Sequence, residues 1–109
     1  MKMKQFVRNA VKQHAITQGC SPELIDLIDK ATYTQAGGLV WQVPYFGKRV
    51  ILDTHLFISC KKGDTGYIIG EGLDKRVVAV FAKKDFRNTE ICFTFTLDNE
   101  DFIFSPNQN

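Results

Sequence analysis

Arg49, Asp53 and His55 are separated by even intervals in the stretch Gly38–Cys60, which also holds the single tryptophan and the longest apolar-rich run. If that stretch is extended, the three side chains project from one face, because a strand alternates its side chains with a period of two. A histidine beside a carboxylate can be held in one tautomer and act as a general base, while a guanidinium stabilises a phosphoryl transition state. That chemistry suits metal-independent RNA cleavage, with the imidazole taking the 2′-hydroxyl proton and Tyr67 or Lys62 assisting. The same alternation is also the ordinary pattern of a half-exposed strand, where an Asp–Arg or Asp–His contact contributes little. Ile51 and Phe57 share that face, so no catalytic assignment is made; Arg49, Asp53 and His55 stand as candidates.

The remaining reactive residues carry weaker signals. His14 falls on the apolar stripe of a helical segment, where a boundary histidine with one hydrogen-bonded nitrogen is the expected role. Gly63-Asp64-Thr65-Gly66 and Gly70-Glu71-Gly72 match phosphate loops only in glycine content and read as turns. Cys20, Cys60 and Cys92 form no Cys-x-x-Cys pair and lack histidine or cysteine partners at ligand spacing, so reduced thiols and no metal or cofactor are expected.

Trp41, Tyr45 and Phe46 surround Pro44 and are followed by Lys48 and Arg49. Aromatic residues flanked by cations are typical of binding hot spots, so Trp41, Tyr45, Phe46, Lys48 and Arg49 form the candidate partner-binding set. Capping of the core is the competing role for the same rings.

The elements that must position these residues follow from periodicity. Met3, Phe6, Val7, Ala10, Val11 and His14 keep a helical rhythm, predicting a helix over about 3–17. Ser21, Pro22 and Glu23 are an N-cap, a first-turn proline and an acid at the positive dipole end, predicting a second helix over about 22–32. Beyond Gly37-Gly38 the period changes to two. Strands are expected from about 39 to 104, with Pro44 demoting the first to an edge or bulge. Val50, Leu52, Leu56, Ile58 and Cys60 are expected on one face. Ile91, Phe93, Phe95 and Leu97 are expected inward, and Asp98–Asp101 is expected to turn a hairpin into Phe102-Ile103-Phe104.

Two helices followed by five or six strands on short connections predict an α+β domain over residues 1–109. The helices should lie on one face of a mainly antiparallel, twisted meander. Rings such as Phe6, Phe93, Phe95 and Phe102 should fill the interface, each contributing about 1.5–3 kcal/mol before entropy is subtracted.

With 109 residues, 44% hydrophobic and 24% charged, the chain has the composition of a soluble globular domain. No window approaches the ~20 apolar residues of a membrane span, and the basic start lacks the apolar run of a secretory signal. A cytoplasmic protein without a membrane partner is expected. The net charge of +2 is uninformative as a total. Its placement is more useful: in a meander Lys61, Lys62, Lys83, Lys84 and Arg87 gather at one end of the sheet. That basic patch is either an electrostatic footprint for an acidic partner or solvated lysine that protects sheet edges.

Three functional classes remain open. The first is a non-catalytic interaction factor that inhibits or neutralises another protein, of the immunity, antitoxin or phage-inhibitor type. The second is the small ribonuclease or toxin nuclease built on His55. The third is an RNA- or DNA-binding protein using the basic turns and the first helix.

Overall fold

The computed structural model describes residues 3–32, 38–56 and 60–106. Expectations that fall on Gly37, on Phe57, Ile58 and Ser59, and on the tail 107–109 lie outside the described residues.

Two helices, α1 (Gln5–Thr17) and α2 (Pro22–Lys30), precede six strands. These are β1 (Leu39–Val40), β2 (Arg49–Leu52), β3 (Thr65–Gly72), β4 (Val77–Lys84), β5 (Glu90–Leu97) and β6 (Phe102–Phe104). The fold is the expected α+β arrangement, an open antiparallel sheet with the helices N-terminal. Ser21 caps α2, its hydroxyl accepting from the Leu24 N–H at 3.3 Å, and Pro22 occupies the first turn. The second helix ends before Ala31, which bridges to Cys92 on β5. Val11, Ala15, Leu24, Leu27 and Ile28 form the buried faces of the two helices.

Pairing along the sheet runs β5-β4-β3-β2-β6, with β1 also lying against β3. Strands β2 to β5 are a meander. The final strand departs from it: β6 does not return along β5 as a hairpin but pairs antiparallel with β2, Ile51 opposite Ile103. The Asp98–Asp101 connection therefore closes across the mouth of a curled sheet.

That curl explains where the rings go. One buried cluster joins the helices to Ile69, Val78, Val80 and Cys92. The other joins Phe81, Phe93, Phe95 and Leu97 to Val50, Leu52 and Phe102 from the opposite edge of the sheet. The phenylalanine-rich face is thus the inside of the curl, whereas the helices cover the face bearing Cys92. Of the four rings expected between helices and sheet, Phe93, Phe95 and Phe102 are buried on the face away from the helices, and Phe6 is 67% exposed, on the outside of α1. Gly66 has a packing reason to lack a side chain, since a Cβ would approach the Phe81 ring and the Val80 carbonyl oxygen at 2.6 Å.

The strand expected from 49 to 60 is cut short. After Leu52 the backbone leaves β2, its last N–H groups bonding to the carbonyls of Asp64 (from Leu52) and Asp101 (from Asp53), both at 2.8 Å. Asp53 and His55 lie beyond the pleat that would have aligned them with Arg49.

Candidate partner-binding surfaces

The stretch between β1 and β2 packs its aromatic residues in two directions. Trp41 and Phe46 lie against the helix-side cluster, and Phe46 meets His14 edge-on with ring centroids 4.6 Å apart. Tyr45 packs against the inner cluster, and its hydroxyl donates to the Glu71 carboxylate at 3.0 Å. The three rings are half-buried and serve both cores, so they do not form one exposed aromatic corner. This packing is what the competing role, capping of the core, requires of them.

Phe46, Lys48 and Arg49 do share a feature. They form one wall of a groove of about 580 Å³ whose other wall is the start of α2, including Cys20, Ser21 and Glu23. Gly47 permits this approach. Its φ of +82° favours glycine, and an added Cβ would stand 3.1 Å from the Cys20 sulfur. Tyr67 lines the same groove. It stands beside Glu23 and Arg49, whose guanidinium carbon lies 5.7 Å from the ring centroid. Burial foremost, then the negative charge of Glu23, pushes the Tyr67 pKa above its ordinary value. The trio ties the start of α2 to β2 and β3. Sequence spacing gave no sign of it, because Glu23, Arg49 and Tyr67 come from three separate elements.

Lys61, Lys62, Lys83, Lys84 and Arg87 gather at one end of the sheet, as the meander requires. Part of their charge is already matched. Lys83 donates to Asp64 at 2.8 Å, and Lys62 lies 3.6 Å from Asp53. Asp64 also accepts from the Lys61 N–H at 2.9 Å. Burial alone would raise the Asp64 carboxyl, but these hydrogen bonds and both lysine charges hold it below its ordinary value. Lys61, Lys84 and Arg87 carry no ion pair among the described residues.

At the same end stands Phe86, which lies outside the strands on either side of it. It is 92% exposed at the tip of the β4–β5 turn. Asp85 locks that turn: its carboxylate accepts from the N–H groups of Arg87 and Thr89 at 2.8 and 2.9 Å, and its own N–H donates to the Thr89 carbonyl. The Arg87 guanidinium lies over the ring at 5.2 Å. A lone apolar residue inside Lys83-Lys84-Asp85-Phe86-Arg87-Asn88 was the available signal.

The chain matches no protein family, no curated protein and no solved structure.

Among the described residues, no cluster of three or more histidine, cysteine and acidic side chains could hold a metal ion. Cys20, Cys60 and Cys92 are free thiols. Burial pushes all three pKa values up, that of Cys60 to about 11, so none is poised as a thiolate nucleophile at neutral pH. No helix among the described residues is long and apolar enough to cross a membrane.

Proposed function

We propose that this chain is a non-catalytic interaction factor that binds a protein partner in the cytoplasm and inhibits or neutralises it, in the manner of immunity proteins, antitoxins and phage-encoded inhibitors. The observation that carries the reading is Phe86. A phenylalanine left in water on a turn that three Asp85 hydrogen bonds hold rigid is an ordered apolar knob, and an ordered knob loses little conformational entropy on docking. Arg87 over the ring, with Lys84 two residues before it in the chain, makes the knob basic. The partner it fits has an apolar pocket rimmed by carboxylates, with aromatic and arginine anchors supplying most of the binding energy.

Affinity capture with Phe86→Ala tests this. The wild-type chain should retain one protein at a stoichiometric level, Phe86→Ala should lose it by tenfold or more, and Phe6→Ala, at the exposed ring on α1, should keep it. The same protein retained by Phe86→Ala, or no stoichiometric partner at all, would contradict the proposal.

Lys61, Lys84 and Arg87 also favour a second reading, a phosphate-led nucleic-acid footprint. Affinity for RNA or DNA falling steeply with added salt would support it over the protein partner. The nuclease reading rests on Arg49, Asp53 and His55 sharing a pleat, and the end of β2 at Leu52 removes that premise. Unchanged RNA cleavage by His55→Ala would dispose of it.

A further inference from the structure

We propose that the groove between the start of α2 and the entry to β2 is a binding site for a small hydroxylated phosphate monoester, a sugar phosphate or a nucleotide. The site shares no residue with the Phe86 turn and does not depend on a protein docking there.

Both walls are fixed before any ligand arrives. On the sheet side the Gly47 N–H donates to the Ile68 carbonyl at 2.7 Å, and the Ile68 N–H donates to the Lys48 carbonyl at 2.9 Å, which holds Phe46-Gly47-Lys48 against β3. On the helix side the Cys20 N–H donates to the Ala15 carbonyl at 3.0 Å, and the Ser21 hydroxyl caps α2. The space of about 580 Å³ between the walls has the size of a small-molecule site. A site formed in advance loses little free energy to ordering on binding.

Charge sets the sign of the ligand. Lys48 and Arg49 bring two positive charges to one wall. The Arg49 guanidinium lies beside Tyr67, which lines the same groove, and its planar fork suits two parallel hydrogen bonds to a phosphate. The Lys48 ammonium, 5.9 Å from the Phe104 ring centroid, has no carboxylate partner among the described residues. A phosphate monoester carries about −1.5 to −2 charge at pH 7, which matches this pair where a single carboxylate does not. The end of α2 is not the anchor. Pro22 has no N–H, and the Ser21 hydroxyl already takes the Leu24 N–H.

Glu23 decides against a bare anion. It stands on the helix wall, where its carboxylate repels free phosphate and accepts hydrogen bonds only. A ligand that reaches across the groove must therefore carry its negative group at the Lys48–Arg49 wall and donors, such as sugar hydroxyls, at the other. The Phe46 ring supplies apolar surface between them.

Cys20 gives the readout, because it is half-buried in the groove whereas Cys60 and Cys92 are fully buried. Labelling of Cys20 in the intact chain by a thiol reagent is followed with ribose 5-phosphate, adenosine 5′-monophosphate, inorganic phosphate and ribose, and calorimetric titration gives each affinity. Ribose 5-phosphate or the nucleotide should saturate the site and slow labelling at least tenfold, and ribose should have no effect. A tenfold preference for the nucleotide assigns the site to nucleotides, and equal affinity assigns it to sugar phosphates. Arg49→Gln and Lys48→Gln should each weaken binding several-fold. If Arg49→Gln unfolds the chain, Lys48→Gln carries the test. Glu23→Gln should weaken ribose 5-phosphate while tightening inorganic phosphate, a split that a site of charge alone does not produce. Phe86→Ala should change nothing. Labelling indifferent to both phosphate monoesters, inorganic phosphate bound as tightly as ribose 5-phosphate, or binding undiminished by Lys48→Gln would each overturn the proposal.

Discussion

Thr94 is fully buried on β5 and its hydroxyl has no hydrogen-bond partner among the described residues. Thr96 repeats the situation two residues on, so the helix-facing side of β5 encloses two hydroxyls that water satisfies in the unfolded chain. A buried donor left unmade costs about 1–3 kcal/mol, whereas a methyl of the same shape costs nothing there. Thr94→Val is therefore expected to stabilise the protein by roughly 1 kcal/mol, read as a higher denaturant midpoint with an unchanged slope. A lower midpoint would mean that the hydroxyl has a partner in solution. At this scale the sequence is a partial guide. It places Thr94 and Thr96 together on one face, but strand alternation predicts only that the face opposite Phe93 and Phe95 is polar, not that helices cover it.

At the scale of elements, the helices were legible because local chemistry determines them: Ser21, Pro22 and Glu23 mark the start of α2 wherever the helix eventually packs. The strands were legible less evenly. β5 reads clearly from Glu90 to Leu97, its alternation matching the register with β4. β2 did not, because the apolar alternation continues past Leu52 while the backbone departs to bond with Asp64 and Asp101, partners distant in sequence. The same departure disperses Arg49, Asp53 and His55. The loop that enters β2 depends on Gly47, where positive φ and the nearby Cys20 sulfur both oppose a side chain. Gly47→Ala should cost about 1–3 kcal/mol. It should also raise the reactivity of Cys20 toward a thiol reagent as the groove wall shifts, while the fully buried Cys60 and Cys92 stay protected. Equal labelling of Cys20 in both proteins would show that the wall does not depend on this residue.

For the whole molecule, the governing fact is the connection from β5 to β6. Short connections favour neighbouring strands, and that rule holds from β2 to β5. It fails at the last step because the curl has already brought the free edge of β2 near the end of β5, and Phe102 completes the inner cluster from there. Nothing local in Asp98–Asp101 announces this, since the choice belongs to the shape of the finished sheet. A chain ending at Leu97 should consequently lose both the β2 edge partner and the Phe102 ring, leaving Val50 and Leu52 uncovered. Such a chain is expected to show a lower unfolding midpoint by well over the ~1 kcal/mol of an average substitution and to aggregate on concentration. A soluble, cooperatively unfolding truncation of undiminished midpoint would show that β6 is dispensable.

Arg8 gives the helical layer a different character. Its guanidinium donates to the carbonyls of Asp29 and Ala31 at the end of α2, while α1 itself begins without a side-chain cap or an acidic first turn. The first helix therefore takes part of its stability from a site some twenty residues downstream, and a helix so short is marginal alone in water. Within this chain α1 is thus tethered from downstream, and it has that anchor only where α2 is formed and offers its last carbonyls.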